Sequence, residues 1–181
     1  MKPKAIVLDI DDTCLDFLGH LCSIYYWKTG IAIKRSELTE WQLPEPMYET
    51  FREYEDLIYA SQRTLPKVVA SINEFIEKGY KIILMTARPE DYKRVTEFNL
   101  WFNKIKYDKL FFNKNKSLKI NRLSEEFDIK IFVDDKTETV NKVKRDTDVP
   151  SVYLINTHGT RNDDIEEGVV RINNIHEIKE K

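Results

Sequence analysis

The stretch Ala5-Ile6-Val7-Leu8-Asp9-Ile10-Asp11-Asp12-Thr13 decides the fold class of this chain. A short apolar run stops abruptly at an acidic cluster, which is typical of a buried parallel strand that ends at a polar edge of its sheet. Further apolar runs follow at residues 81–85, 109–112, 129–133, 152–155 and 169–172. Helical patterns separate the later runs. The sequence therefore predicts an α/β fold, a doubly wound, Rossmann-like parallel sheet of five or six strands with the first strand at its centre.

Three segments between these runs have apolar residues at helical spacing. Residues 65–78 are followed by Gly79, a residue that commonly ends a helix. Residues 90–103 follow Pro89, which is favoured at a helix start, and residues 137–145 carry two valines on one side. We predict that all three cover the sheet. In the second segment, the expected sheet-facing set recurs every three residues: Tyr92, Val95, Phe98 and Trp101.

Residues 14–63 do not follow this alternation of strand and helix. They predict a helix over residues 17–28, a stretch interrupted by Pro44 and Pro46, and a second helix over residues 48–60. We therefore predict a core formed by residues 1–13 and 64–181, with residues 14–63 inserted after strand 1 as a small helical cap. The insert is rich in aromatic residues, which a small cap needs for an apolar cluster of its own.

The composition indicates a globular protein with little net charge. The 181 residues are 41% hydrophobic, and 29 Lys and Arg oppose 31 Asp and Glu, for a net charge of −2. We expect no stable nucleic-acid complex, because this balance gives no global attraction for a polyanion. No apolar run resembles a signal segment or a membrane span, so a cytoplasmic location without a membrane partner is expected. Cys14 and Cys22 are too few for a disulfide framework and are not spaced as a zinc site. As for partners, a homodimer is an open alternative to a monomer.

Reactive side chains follow the ends of four predicted strands. In chain order they are Asp9, Asp11 and Asp12, then Thr86-Ala87-Arg88, then Lys114 and Lys116, then Asp134 and Asp135. Because ligands bind outside the carboxyl ends of parallel strands, we expect these groups to converge at one edge of the sheet. Carboxylates brought together in this way repel one another unless a cation lies between them. Oxygen ligands without His or Cys favour Mg²⁺.

A site that holds Mg²⁺, a lysine and a hydroxyl around one carboxylate suits phosphoryl transfer. The two cationic groups would neutralise the equatorial oxygens of the phosphate while the carboxylate attacks in line. We therefore predict that Asp9 is the nucleophile and forms an aspartyl phosphate. Asp11, two residues further on, would protonate the leaving oxygen and then deprotonate the attacking water.

The segment Asp9-Ile10-Asp11-Asp12-Thr13 resembles the first motif of the haloacid dehalogenase (HAD) superfamily of phosphatases, Asp-x-Asp-x-Thr after an apolar strand. Thr86, Lys116 and the pair Asp134-Asp135 resemble the other three motifs, in order. The resemblance implies Mg²⁺ held by the Asp9 side chain, the Asp11 carbonyl and an acid of Asp134-Asp135. It also implies a phosphate held by Thr86, the neighbouring backbone at Ala87, and Lys116. Lys114 competes with Lys116 for this role, and which of the two acids ligates directly stays open.

One branch of the superfamily, the 5′(3′)-deoxyribonucleotidases, is similar in two further segments. Asn115-Lys116-Ser117 is similar to its Asp-Lys-Thr, and Asp134-Asp135-Lys136-Thr137-Glu138-Thr139-Val140 to its Asp-Asp-Lys-Asp-Thr-Val. The chain departs from that branch at Thr13, where Val is common, and at Ala87-Arg88. This resemblance implies a small phosphorylated substrate, a nucleoside monophosphate. The candidate substrate contacts are Thr13, Phe17, Trp41, Tyr48 and Arg88, and the alternative for Arg88 is a solvent-exposed pair with Glu90.

Rival functions stay open at this point. Phage polynucleotide 3′-phosphatases share the Asp-x-Asp-x-Thr strand, and their Asp-Asp-Arg-Thr element is similar to Asp134-Asp135-Lys136-Thr137. A phosphatase of another small metabolite is a second rival. A non-catalytic binding protein with the same fold is a third, but it is expected to lack Asp9 or Asp11, and both are present.

Overall fold

The computed structural model describes residues 1–38, 43–157 and 162–179. Six strands form one parallel sheet: β1 (Lys4–Leu8), β2 (Lys81–Thr86), β3 (Lys109–Phe112), β4 (Asp128–Asp134), β5 (Ser151–Ile155) and β6 (Val169–Ile172). Their order is β3-β2-β1-β4-β5-β6, so the chain winds outward from β1 in both directions. The predicted doubly wound α/β class, with the first strand central, is confirmed.

The helices are α1 (Phe17–Thr29), α2 (Glu45–Glu53), α3 (Glu55–Ser61), α4 (Val68–Glu77), α5 (Lys93–Phe102), α6 (Lys116–Leu123) and α7 (Thr137–Asp146). The last four of them, α4 to α7, cover the two faces of the sheet. Alternate residues of β1 enter different cores, because successive side chains of a strand point to opposite faces. Ile6 and Leu8 pack with α4 on one face, whereas Ala5 and Val7 pack with α6 and α7 on the other. The sequence interpretation missed α6, whose apolar pattern is short.

The α4 helix ends as predicted at Gly79. This glycine has a φ of 83°, and its N–H donates to the carbonyl of Ile76 at 2.9 Å. A left-handed residue just after a helix favours glycine, which has no Cβ to clash with the backbone. Within the described ranges, no helix combines the length and apolarity needed to cross a bilayer.

The segment between β1 and α4 forms a separate helical layer. α1, α2 and α3 enclose their own apolar cluster, which includes Leu21, Met47 and Ile58. The prediction of a single helix over residues 48–60 is wrong, because Tyr54 leaves helical geometry at φ −115° and ψ 22° and separates α2 from α3. α2 also begins earlier than expected. Pro46 lies in its first turn, where a backbone N–H has no helical acceptor and proline is tolerated.

The orientation of α5 differs from the prediction. Phe98 and Trp101 are exposed, whereas Thr96, Asn99 and Leu100 are buried. A three-residue repeat drifts around a helix of 3.6 residues per turn, so the predicted stripe does not stay on one face. Polar contacts fix the buried side instead: the Asn99 side-chain amide donates to the backbone carbonyls of Ala60 and Gln62, at 2.9 and 3.0 Å.

Candidate active site

The predicted acids and lysine converge at the carboxyl edge of the sheet. Asp9 follows β1, Asp134 ends β4, and Lys116 is the first residue of α6. The Lys116 ammonium donates to both carboxylates, contacting Asp9 Oδ1 and lying 2.6 Å from Asp134 Oδ2. All three side chains are buried. Lys114, by contrast, is exposed, so the structure places Lys116 and not Lys114 in the cluster.

Burial and charge act in opposite directions in this cluster. Burial raises the pKa of Asp9 above its ordinary range, and the Lys116 ammonium partly offsets that rise. The pKa of Lys116 is also raised: burial opposes its charge, but the carboxylates of Asp134 and Asp9 outweigh it. One buried ammonium therefore serves two buried carboxylates, and a further cation at this point would stabilise the ionised form of Asp9.

The same edge of the sheet fits a hard divalent cation. Asp9, Asp134 and Asp135 each offer one carboxylate oxygen, and these oxygens lie within 4.8 Å of one another. All three residues are buried, and Oδ1 of Asp134 accepts the Lys136 backbone N–H at 2.9 Å. An all-oxygen donor set of this kind is suited to Mg²⁺ rather than to zinc. Ligation through the Asp11 carbonyl remains a prediction.

The Asp11 carboxylate is paired with Arg88. Nε of Arg88 donates to Asp11 Oδ2 at 2.8 Å, and Nη2 donates to Asp11 Oδ1 at 2.6 Å, in the two-pronged geometry that suits arginine and carboxylate. The side-chain amide of Gln62 adds a third contact to Oδ1 at 3.2 Å. The Arg88 side chain is only 1% exposed, so the alternative of a solvent-exposed pair with Glu90 is wrong.

Arg88 connects the cap layer, the core and α5 at one point. Its Nη2 also donates to Gln62 Oε1 at 2.7 Å, and its Nη1 donates to the Thr96 hydroxyl of α5 at 3.0 Å. Its guanidinium lies 4.2 Å from the ring centroid of Tyr59, which belongs to α3. Sequence interpretation missed Gln62, because a glutamine between α3 and α4 carries no motif and its role depends on long-range contacts.

Asp12 stabilises the turn that leads into the cap. It is buried with a φ of 51°, and its carboxylate accepts the Leu18 N–H and a hydrogen bond from Arg35 Nη2 at 2.8 Å. Burial raises the pKa of Asp12 to about 7, although Arg35 opposes that shift. The Asp12 carboxylate contacts α1 and the segment after it, whereas the carboxylates of Asp9 and Asp11 contact Lys116 and Arg88. Arg35 was not singled out from the sequence.

The remaining predicted residues lie around these groups. Thr86 ends β2 and its hydroxyl accepts the Arg88 backbone N–H at 3.2 Å. The Thr13 hydroxyl is buried and has no hydrogen-bond partner within the part of the chain that the structure describes. Trp41 lies outside the described residues. The phosphate-binding role of Thr86 and Ala87 and the substrate role of Thr13 remain predictions.

A cavity of about 340 Å³ opens beside Asp11, between the cap helices and the core. Its lining consists of aromatic and apolar side chains of the cap together with three residues of the core: Phe17, Leu43, Tyr48, Phe51, Tyr59, Asp11, Ala87 and Arg88. The rings of Phe17, Phe51 and Tyr59 contact one another. The predicted candidates Phe17, Tyr48 and Arg88 therefore share one cavity.

Comparison with known proteins gives a family match over most of the chain. A family model described as HAD superfamily, subfamily IIIB (acid phosphatase), matches residues 1–167. Searched against curated proteins, the sequence has no significant match.

Solved structures share the fold at low sequence identity. A HAD hydrolase, YfnB from Bacillus subtilis bound to magnesium, has a TM-score of 0.65 at 10% identity, with 98% of this chain and 97% of that chain covered. A class C acid phosphatase from Bacillus anthracis with tungstate bound has a TM-score of 0.51 at 22% identity, covering 80% of this chain and 60% of that one. A chain of a Pnkp1/Rnl/Hen1 complex has a TM-score of 0.58 at 19% identity, covering 86% of this chain. The present chain spans only 46% of that protein.

Proposed function

The chain belongs to the HAD superfamily, subfamily IIIB, and is a phosphatase of that family, and we propose that it is a Mg²⁺-dependent hydrolase of small phosphomonoesters in which Asp9 is the nucleophile. The observation that carries the proposal is the buried cluster of Asp9, Lys116, Asp134 and Asp135 at the carboxyl edge of the sheet. With a divalent cation bound to its carboxylates, such a cluster would place two cationic groups and an attacking carboxylate where a phosphate would bind.

The proposed reaction has two halves that share one covalent intermediate. A carboxylate oxygen of Asp9 attacks phosphorus, the bond to the leaving oxygen breaks, and Asp11 gives that oxygen a proton. Asp11 then removes a proton from water, which attacks the aspartyl phosphate and releases inorganic phosphate and the Asp9 carboxylate. Lys116 would neutralise phosphate oxygens, and a bound Mg²⁺ held by Asp9, Asp134 and Asp135 would supply further positive charge.

Arg88 has a positioning role in this proposal. Its Nε and Nη2 donate to the two oxygens of the Asp11 carboxylate, and further hydrogen bonds from Nη2 and Nη1 go to Gln62 and Thr96. It therefore holds Asp11 in place for proton transfer instead of binding the phosphate. Misplacing such a group costs rate even when substrate still binds, because proton transfer needs hydrogen-bond distances.

We propose a nucleoside monophosphate as the substrate, on the strength of the cavity beside Asp11. Its volume of about 340 Å³ lies at the lower end of the volumes that small-molecule binding sites have. Tyr48 and Phe17 present rings in this cavity, and stacking of a nucleobase on an aromatic side chain contributes roughly 1–3 kcal/mol. The division into a core of residues 1–13 and 64–181 and a cap of residues 14–63 is part of this proposal, because the cap supplies the aromatic lining.

The test is a screen of phosphate release with Mg²⁺ over nucleotides, sugar phosphates and other small phosphomonoesters. We expect nucleoside monophosphates to give the highest kcat/KM, and the Asp9→Asn variant to give none. Lys116→Ala should lose activity, whereas the matched surface variant Lys114→Ala should keep it. Undiminished phosphate release by Asp9→Asn would refute the assignment of the nucleophile.

A polynucleotide 3′-phosphatase is the second candidate function. A chain of the Pnkp1/Rnl/Hen1 complex, which is also described as an RNA repair complex, shares the fold. The competing proposals differ in substrate size. Rates on a mononucleotide and on a 3′-phosphorylated oligonucleotide separate them, and faster turnover of the oligonucleotide would favour the second candidate.

A further inference from the structure

The outer face of α5 carries three exposed aromatic side chains. Phe98, Trp101 and Phe102 are 53%, 73% and 67% exposed, and they occupy neighbouring positions on one side of the helix. The ring of Phe98 contacts both others, with centroids 5.9 Å from Trp101 and 6.3 Å from Phe102. Scattered apolar residues are normal on a surface, but a contiguous aromatic cluster of this kind marks an interaction site.

We propose that this surface, the α5 face formed by Arg94, Phe98, Trp101 and Phe102, binds a second copy of the same chain. The two α5 helices would pack antiparallel about a two-fold axis near Phe98. Each copy would then present the same patch to the other, as in most symmetric dimers. The rest of α5 is already engaged, because Thr96 and Asn99 on its opposite side contact Arg88 and the end of the cap.

The charges around the aromatic cluster support the antiparallel arrangement. Asp91 precedes α5 and Lys104 follows it, at nearly equal sequence distances from Phe98, and both are exposed. In an antiparallel pair, Asp91 of each copy therefore faces Lys104 of the other. Glu90 and Lys106 also lie at equal sequence distances from Phe98, so they would face each other across the antiparallel pair in the same way. A parallel arrangement would place like charges together, which is unfavourable.

Aromatic contacts fit the same arrangement. Exposed Arg94 lies one helical turn before Phe98, so antiparallel packing brings its guanidinium next to Trp101 and Phe102 of the second copy. Guanidinium groups are attracted to the faces of aromatic rings, and aromatic residues and arginine are the side chains enriched in interfaces.

The exposed area suggests a dimer of moderate affinity. An aromatic side chain has a surface of about 150–250 Å², so the exposed parts of Phe98, Trp101 and Phe102 add up to roughly 400 Å² per copy. Burying them in both copies would remove roughly 800 Å² from water. Stable interfaces bury at least about 1,000 Å², so the flanking charged residues must contribute the remainder. We therefore expect a dissociation constant on the order of micromolar.

A second copy fits this surface better than a nucleic acid does. Single-stranded nucleic acid also stacks on exposed aromatic rings, but its sites combine those rings with a continuous basic groove. Here the basic residues Lys93 and Arg94 lie between Glu90 and Asp91 on one side and Glu97 on the other, so acidic residues interrupt the basic charge. These carboxylates would repel a phosphate backbone and would attract the lysines of a second copy.

The test is the mass of the full chain in solution, measured by sedimentation from low micromolar to several hundred micromolar protein. We expect the mass to rise with concentration towards twice the 21.5 kDa of one chain. Trp101→Glu should raise the dissociation constant at least about tenfold, because it places a charge within the aromatic cluster that the two copies bury. The matched control is Trp27→Glu, since Trp27 of α1 is 70% exposed but lies outside the α5 face.

Charge exchange tests the orientation. Asp91→Lys and Lys104→Asp should each weaken the dimer, and the double variant should restore it, because the opposite charges then face each other again. Lys104 has a φ of 59°, a conformation that Asp tolerates. A monomer at every concentration, a dimer insensitive to Trp101→Glu, or a double variant no better than the single ones would overturn the proposal. Binding of a single-stranded oligonucleotide by the wild type, lost in Trp101→Glu, would also overturn it. Because mass is measured and not turnover, these outcomes are independent of the proposed phosphatase chemistry.

Discussion

Replacement of Arg88 by lysine tests how Asp11 is held in the active site. Lysine keeps the positive charge but cannot form the two parallel contacts that Arg88 makes to Asp11, at 2.8 and 2.6 Å. It also loses at least one of the contacts to Gln62 and Thr96, which are 2.7 and 3.0 Å long. The substitution therefore loosens the carboxylate without removing the charge that pairs with it.

The size of the effect follows from these contacts. A hydrogen bond to a charged group contributes about 1.5–3 kcal/mol, so the loss of one prong predicts a free energy of unfolding lower by roughly 2 kcal/mol. General acid–base catalysis contributes about 10²–10⁴ to rate, and a loosened Asp11 should forfeit part of it, so that kcat falls by roughly 10- to 100-fold. KM should change by less than about threefold, because Arg88 does not bind the phosphate in this account.

The assay is steady-state phosphate release with Mg²⁺, together with urea unfolding of the same preparations. Arg122→Lys is the matched control, because Arg122 is an exposed residue of α6 and the same substitution there should change neither quantity. A large rise in KM with kcat unchanged would contradict a positioning role for Arg88. It would show that Arg88 contacts the substrate directly.

Three further variants test the cluster, the cap connection and the cavity. Lys116→Met should abolish phosphate release and leave the buried carboxylates of Asp9 and Asp134 without their shared cation, and a variant with normal kcat would contradict this. Gln62→Leu should lower kcat by roughly tenfold with little change in KM, because it removes one contact each from Asp11 and Arg88; a KM effect alone would argue against it. Tyr48→Ala should raise KM for a nucleoside monophosphate by roughly tenfold, the equivalent of about 1.4 kcal/mol of stacking, but leave glycerol phosphate unaffected. Equal effects on both substrates would exclude a base-stacking role.

The sheet and the position of the acidic cluster could be predicted because they depend on local sequence. A strand that is buried on both faces of a sheet has a continuous run of apolar residues in its sequence. In a parallel sheet, the carboxyl ends of all such strands lie at the same edge. Asp9 and Asp134 follow directly from this rule. Lys116 is held in the cluster by its place at the start of α6, a helix too short to be recognised from its apolar pattern.

The contacts of Asp11 and the orientation of α5 could not be predicted in the same way. Gln62 reaches Asp11 from 51 residues away in sequence, through a connection that has no characteristic pattern. The three-residue apolar repeat of α5 fixes no single face of the helix, and amide contacts of Asn99 to the end of the cap orient it instead. Both errors concern polar contacts between distant segments, where local periodicity carries no information.

Covalent catalysis by Asp9 can be measured as the mass of the peptide that contains Asp9 after acid quenching during turnover. An activated ester such as p-nitrophenyl phosphate needs little protonation of its leaving group, so the Asp11→Asn variant should still be phosphorylated by it and should then fail to activate water. We expect one phosphoryl group to accumulate on Asp9 in Asp11→Asn and none to be present in Asp9→Asn. A phosphoryl group on another residue, or phosphate release by Asp9→Asn, would contradict it.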